Sequence, residues 1–410
     1  MTTNVLRTNA EISNAALRIL SNVLRFTKLV AQQNNYSDKF GQKGNKIGAT
    51  YNLRLPVQYK QTSGSAFQAQ AVRENIVPIV LNNWVTRDVQ MSTEDMTLSM
   101  DMFEQRVMKP AAVSAANQIE QYNLDQAVKA IYNSVGTPGT MPSTQATFNT
   151  LVTDAQNLIF NNLAQDEFYS LMTTAPFSSK AQVLNVNVFN PGSRIGDDNI
   201  AGHIVNGTMG FDWYRSQLTP THTNGTFSGT PAVNGADQSG NVLNTDGWGA
   251  GSTLNVGDIF TIAGVNRVNP QTKADTGELQ QFVVTAKNAP GTTHALSISP
   301  AIVGPEDPQY QNVSALPADG ALLTILGTSG QTYSTQIGWD SDAFGVAFAD
   351  FEMPKAGMGV VSTKSADTDL GISLQYTAGY DIRGFQELHR IDLLQGFVAQ
   401  YPQLATRVAV

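Results

Sequence analysis

The chain has 410 residues, no cysteine and a formal net charge of −8, and only 14% of its residues are charged, against about 25% for ordinary soluble domains. Protein–protein contacts are where charge is shed, so a surface built instead from Asn, Gln, Thr and Ser is expected to meet copies of itself. Disulfides, thiolate nucleophiles and zinc–thiolate sites are excluded; no run of 18 apolar residues offers a membrane helix, and Met1–Arg7 lacks a signal-peptide pattern.

Charge is unevenly distributed. Residues 1–60 hold nine cations and two anions, a net +7, which leaves −15 for the remainder. A basic end on an acidic body seeks a polyanion or the acidic body of a neighbouring copy, and the second reading is the simpler. The cations are dispersed, with few aromatics among them, unlike a nucleic-acid module.

In chain order, Ile12, Ala16, Ile19, Val23, Phe26 and Val30 follow 4-3-4-3-4 spacing, widened by Leu17, Leu20 and Leu24, and predict a helix over 11–31. Asn34–Thr50 reads as a loop. Period-two patterning then predicts strands at Tyr51–Val57 and around Ile76, Pro78 and Val80, these three on one face. The Gln61–Gln70 stretch between them serves no compact core and reads as an arm lying on a neighbour. Ser92, followed by Glu94 and Asp95, predicts the cap of a long helix to Val135. That helix carries Met96, Met100, Phe103, Val107, Ile119 and Val128, with a kink expected at Pro110. A second amphipathic helix runs from Thr144 to about Leu163. After Phe211–Ser216 the chain turns Gly/Asn/Thr-rich, and short strands follow at Ile259–Ile262, Gln281–Thr285, Ala295–Ile298 and Leu322–Ile325. Between Pro220 and Gly338 this predicts an inserted small all-β barrel. The chain closes with a strand at Gly371–Tyr376 and another at Gly396–Tyr401.

Catalytic chemistry finds little support. Nucleophile-elbow, Ser-x-x-Lys, zincin and Walker-type motifs are missing from the sequence. Gly247-Trp-Gly-Ala-Gly251 follows a loop and reads as a flexible linker rather than a phosphate cradle. His203, His222, His294 and His389 have no ligand spacing and read as surface or hydrogen-bonding groups. Asp340, Asp342, Asp350, Glu352, Asp367 and Asp369 cluster without a calcium-loop register; a paired-carboxylate hydrolase would need two of them across a cleft. Met91, Met96, Met100, Met102 and Met108 read as packing. No catalytic, cofactor-binding or metal-ligating residue is expected.

The order of parts resembles the major capsid proteins of tailed bacteriophages with the Hong-Kong-97-type fold, and particularly podophage coat proteins with an inserted β-barrel. The similarity covers nearly the whole chain. It is most evident at Gly210-Phe-Asp-Trp-Tyr214, at Val256-Gly-Asp-Ile-Phe-Thr-Ile-Ala-Gly-Val265 and at Arg390-Ile-Asp-Leu-Leu-Gln-Gly396 through Pro402. The resemblance implies an α+β chain: an N-terminal arm (1–35), an extended β-loop with peripheral-domain strands (36–90) and a spine helix (91–140). An axial domain (141–220 and 338–375), the inserted barrel (221–337) and C-terminal return strands of the peripheral domain (376–410) complete it. It also implies hexamers and pentamers in an icosahedral shell around double-stranded DNA, assembled in the host cytoplasm with scaffolding protein, a portal and in some cases a decoration protein, and no membrane. The family's cross-linking branch uses a Lys–Asn isopeptide bond; no motif here fixes such a pair. Under this reading the arm and extended loop are long-reach interface elements and Pro110 adapts the helix to quasi-equivalent positions. The basic N-terminus faces scaffold or DNA phosphates, and the loop Thr230–Gly251, with Asp237 and Asp246, contacts adjacent capsomers. The alternatives are a ligand-binding surface protein using its β-domain, and a carboxylate-dependent hydrolase using Asp340–Glu352.

Overall fold

Helix formation begins where the apolar spacing puts it, over Asn9–Val23, but breaks at Leu24–Arg25 and restarts as a short turn, Phe26–Leu29. Ala16, Leu17, Leu20, Leu24 and Phe26 are buried, whereas Ile12, Ile19 and Val23 are only partly covered, so the buried stripe centres on the residues expected at its flank. Each fully buried Leu adds about 1.5–3 kcal/mol. These coordinates are a computed structural model, which describes residues 9–32, 50–65, 67–92, 104–162, 166, 168–185, 204, 207–355, 359–367 and 371–410.

Two units partition the chain. One comprises Met1–Leu53, Ile76–Leu124 and Phe344–Val398; the other Arg54–Asn75, Asp125–Ala343 and Ala399–Val410.

In the first unit a six-stranded sheet orders β1 (Ala31–Gln32), β16 (Phe344–Ala349), β19 (Gln386–Ala399), β18 (Ile372–Asp381) and β17 (Val360–Asp367), with β4 (Asn83–Ser92) also paired to β19. The expected boundary at 375/376 therefore falls inside β18. Ser92 ends β4 opposite Gln386; the helix start expected after it, with Glu94, Asp95, Met96, Met100, Met102 and Phe103, lies outside the described residues. The spine helix is described from Lys109 to Ala130 and ends short of the expected Val135. Pro110 is the second residue of that helix, and a π-helical turn at Glu104–Met108 runs directly into it, so the irregularity expected at Pro110 sits on its N-terminal side. Ala112, Ala115, Ala116 and Ile119 form its buried stripe.

In the second unit a six-stranded sheet orders β5 (Ser134–Val135), β20 (Ala405–Ala409), β15 (Thr332–Trp339), β6 (Tyr169–Thr173) and β7 (Phe211–Arg215), with β8 (Thr221–Thr223) on β15. The helix Gln145–Phe160 covers it. Thr144 closes a capping box with Thr147, worth about 1 kcal/mol, and Phe148, Leu151, Val152, Ala155 and Ile159 join Tyr169, Leu171, Phe211 and Val408 in one core.

The inserted module is a second sheet of six strands: β14 (Leu323–Ile325), β11 (Ile259–Val268), β12 (Asp275–Val284), β13 (His294–Ile302), β10 (Gly240–Trp248) and β9 (Gly229–Val233). Val233 donates to Ala321 O and accepts from Gly320 N, each at 2.9 Å, bringing β9 beside β14 and nearly closing the barrel. Trp248, Phe260, Phe282, Leu243 and Leu296 fill it. The Thr230–Gly251 stretch, expected as a loop, is mostly the β9–β10 pair. A bulge between Asp246 and Trp248 interrupts its period-two pattern. Trp248 of the supposed linker is buried and donates to Thr245 Oγ1 at 2.9 Å.

Candidate assembly surfaces

The arm is tied down by one carboxylate. Glu120 on the spine helix, 4% exposed, accepts from the backbone N–H groups of Arg25 at 3.2 Å, Phe26 at 2.9 Å and Thr27 at 3.0 Å. Three backbone donors at a helix start thus meet one carboxylate. Burial pushes the Glu120 carboxyl above its ordinary value, and the hydrogen bonds from Thr27, Phe26 and Arg25 oppose that shift. Asn123 Nδ2 donates to Thr27 Oγ1 at 3.0 Å, and the Phe26 ring packs 5.8 Å from Phe344.

β2 (Thr50–Leu55) and β3 (Asn75–Val80) form a two-stranded ribbon. Ile79 is fully buried and Ile76 exposed, the reverse of the expected face. Beyond the ribbon, the hairpin tip exposes Phe67 (94%) and Val72 (72%). Its legs are bridged by Gln70, whose side chain accepts from Lys60 N and donates to Lys60 O, both at 2.7 Å. Expected to lie on a neighbour, the Gln61–Gln70 stretch touches its own chain: Gln61 N donates to Gln271 O at 3.1 Å. In the other unit, the turn joining β18 and β19 exposes Ile382 (78%) and Phe385 (68%).

Two of the three stretches that carried the resemblance have clear structural roles. Trp213 of β7 stacks on Phe148 and Phe177, with ring centroids 6.3 Å apart in each case, and Asp212 Oδ1 accepts from Gly207 N at 2.8 Å. Val256-Gly-Asp258 forms the turn into β11 and centres a buried polar hub. Asp258, wholly buried, meets His222 Nε2 at 2.7 Å and accepts from Gly225 N at 3.0 Å and Asn255 N at 2.8 Å. Arg407 of β20 donates through Nε and Nη2 to Ile131 O at 3.0 and 2.6 Å, and through Nη1 to Gly257 O at 2.8 Å. Burial lowers Arg407 to about 10 against the pull of Tyr333 and Asp258, and raises the Tyr333 hydroxyl to about 12.

The sequence-level candidates for chemistry do not converge. Asp340 is buried and accepts from Asp342 N at 3.1 Å and Asp166 N at 3.3 Å, shaping a turn; burial raises its pKa. Asp350 pairs with Lys364, Glu352 is exposed, and Asp369 lies outside the described residues, as does His203. The other three histidines, expected at the surface or in hydrogen bonds, are buried, each 8% exposed or less. His389 Nδ1 meets the Tyr376 hydroxyl at 2.7 Å. Among the described residues no cluster of three metal-ligating side chains occurs, and no helix is long and apolar enough to cross a membrane. The sequence reading missed Glu120, Asp258 and Arg407. A lone acid within an Ala-rich helix stripe was the available signal for the first.

The described parts are an arm tied to Glu120, a two-stranded ribbon with an exposed tip, a helix-covered sheet and an inserted barrel. Residues 41–407 match the family "P22 coat protein - gene protein 5", and the chain belongs to that family. It is a major capsid protein of a tailed phage, a structural component that self-assembles into the virion shell. No curated protein matches it. Similar solved structures include Mycobacterium phage Che8, 9% identical over 94% of this chain and 90% of that one, with a TM-score of 0.48. The capsid of Cyanophage P-SCSP1u is 10% identical over 100% and 91%, with a TM-score of 0.46. The CUS-3 coat protein I-domain is 39% identical over 26% of this chain and 96% of that one, with a TM-score of 0.18.

Proposed function

We propose that this coat subunit forms the hexamers and pentamers of a closed icosahedral shell around packaged double-stranded DNA, and that it catalyses no reaction. The observation that carries the reading is the family match over residues 41–407; the low charge content and the exposed Phe67 and Val72 at the end of a long ribbon agree with it. In this reading the domains run in the order of arm, extended hairpin, spine, axial part and barrel. The exposed barrel tip around Asp237 (234–239) contacts adjacent capsomers. The basic N-terminal end faces the lumen, toward scaffolding protein or DNA phosphates, and a portal occupies one vertex.

Negative-stain imaging of the purified chain, with scaffold supplied, tests this. Shells or hexamers and pentamers are expected. Material that stays monomeric at high concentration, or that turns over a small molecule lost on neutralising Asp340 and Asp342, refutes it. Deleting residues 1–32 without affecting closed shells would remove the arm's role, and normal particles from Leu55→Pro would remove the ribbon's.

A further inference from the structure

The hairpin tip has no core of its own: among the described residues of 56–74 none is buried. A loop of that length without internal packing does not hold one direction, because the entropy of its backbone is unopposed. Yet the tip is held, and by a single part of the inserted barrel, the loop 303–313 with neighbouring Gln271. Gln309 acts as a clamp. Its side-chain oxygen accepts from Ala71 N at 3.1 Å, while its Nε2 donates to Ala71 O at 2.8 Å and to Gln58 O at 2.9 Å, so one amide grips both legs. Arg73 bonds Asp307 Oδ2 at 2.8 Å and lies over the Tyr310 ring at 5.4 Å, and Tyr310 Oη donates to Arg73 O at 2.8 Å.

The receiving loop is itself rigid. Asn312 bridges it by donating from its backbone N to Val303 O at 3.0 Å, accepting Val303 N at 2.9 Å and donating from Nδ2 to Ala301 O at 2.6 Å. Lys273 Nζ holds Gln311 O at 3.0 Å, and Ser314 N bonds Asn266 O on β11 at 2.8 Å. A preorganised surface grips a partner without first paying to order itself. Every hairpin-to-loop contact above is polar, whereas Phe67 and Val72 face solvent.

We propose that loop 303–313 is a docking platform that splints the extended hairpin of its own subunit, so that the inserted barrel fixes the direction in which Phe67 and Val72 are offered to a second copy of this chain. This rests on the reading of the hairpin as an interface element. Amide exchange on the full-length soluble subunit tests the splint without assembly. The Gln61 and Ala71 amides are expected to exchange about tenfold slower in the unaltered chain than in Gln309→Ala, with exchange in β11–β13 unchanged; Gln309→Ala then builds shells several-fold more slowly. Equal exchange in the two proteins overturns the splint, whatever the shells do. Should Gln309→Ala disturb the barrel, Arg73→Ala on the hairpin side carries the same comparison at the Ala71 amide. Separately, Phe67→Ser assembling at the normal rate sinks the interface reading while leaving the exchange result standing.

Discussion

The Glu120 carboxylate lies 2.9 Å from the Phe26 amide nitrogen, and by holding Arg25 and Thr27 as well it determines where the arm turns. Glu120→Ala removes the carboxylate that accepts from three backbone donors, two of them buried. Hydrogen bonds to a charged group are worth about 1.5–3 kcal/mol, so a loss of about 3 kcal/mol is expected as a lower urea midpoint, with faster amide exchange at Phe26 and Thr27. An unchanged midpoint would mean the arm is held by its apolar face alone.

Arg407 should prove the most sensitive cation in the described chain. Arg407→Leu leaves the Ile131 and Gly257 carbonyls unanswered and Asp258 without its nearby positive charge. Breaking such a buried arrangement from one side costs about 3–5 kcal/mol. Arg407→Lys keeps the charge but loses the fork that reaches two carbonyls, and should fall between. A denaturation series in any other order contradicts the hub.

Gly257 adopts φ +99, and a Cβ there would approach the His222 ring to 3.0 Å. Gly257→Ala should therefore cost about 1–3 kcal/mol. The double variant with His222→Ala should cost less than the two single losses combined, because removing the ring removes the clash. Strict additivity in a double-mutant cycle would show that only backbone strain matters.

Burial lowers the His389 imidazole below its ordinary 6.5, and Glu387 opposes the shift. The folded chain therefore resists a proton that the unfolded chain accepts. The stability from this group is complete above about pH 6.5 and drains away as pH falls through the interval beneath it. Urea midpoints should drop between pH 7.5 and 5, and His389→Gln should flatten that slope. A slope identical in the variant would assign the acid sensitivity elsewhere, His294 having a shift of the same sign.

Local signals were readable where period and cap agreed. Thr144 and the spacing of Phe148, Leu151, Val152 and Ala155 placed a helix correctly at its start, and each expected barrel strand falls within or next to an observed one. Elsewhere the pattern misled for identifiable reasons. The bulge at Asp246–Trp248 hid β10 behind glycine, and the π-helical turn that runs into Pro110 has no compositional mark of its own. The buried hub was unreadable in principle. Arg407 and Gly257 are 150 positions apart, and a single arginine in Arg407-Val-Ala-Val looks like any surface cation until the fold encloses it.

β20 lies between β5 and β15, inside its sheet rather than on the rim. The ribosome delivers it after every other strand of that sheet, so the slot between β5 and β15 stays open until residue 409 has left the exit tunnel. The barrel strands, contiguous from 229 to 325, are all available much earlier. A nascent chain can thus hold a finished barrel while this sheet still has a gap, and a premature stop even a few codons upstream would leave that gap unfilled.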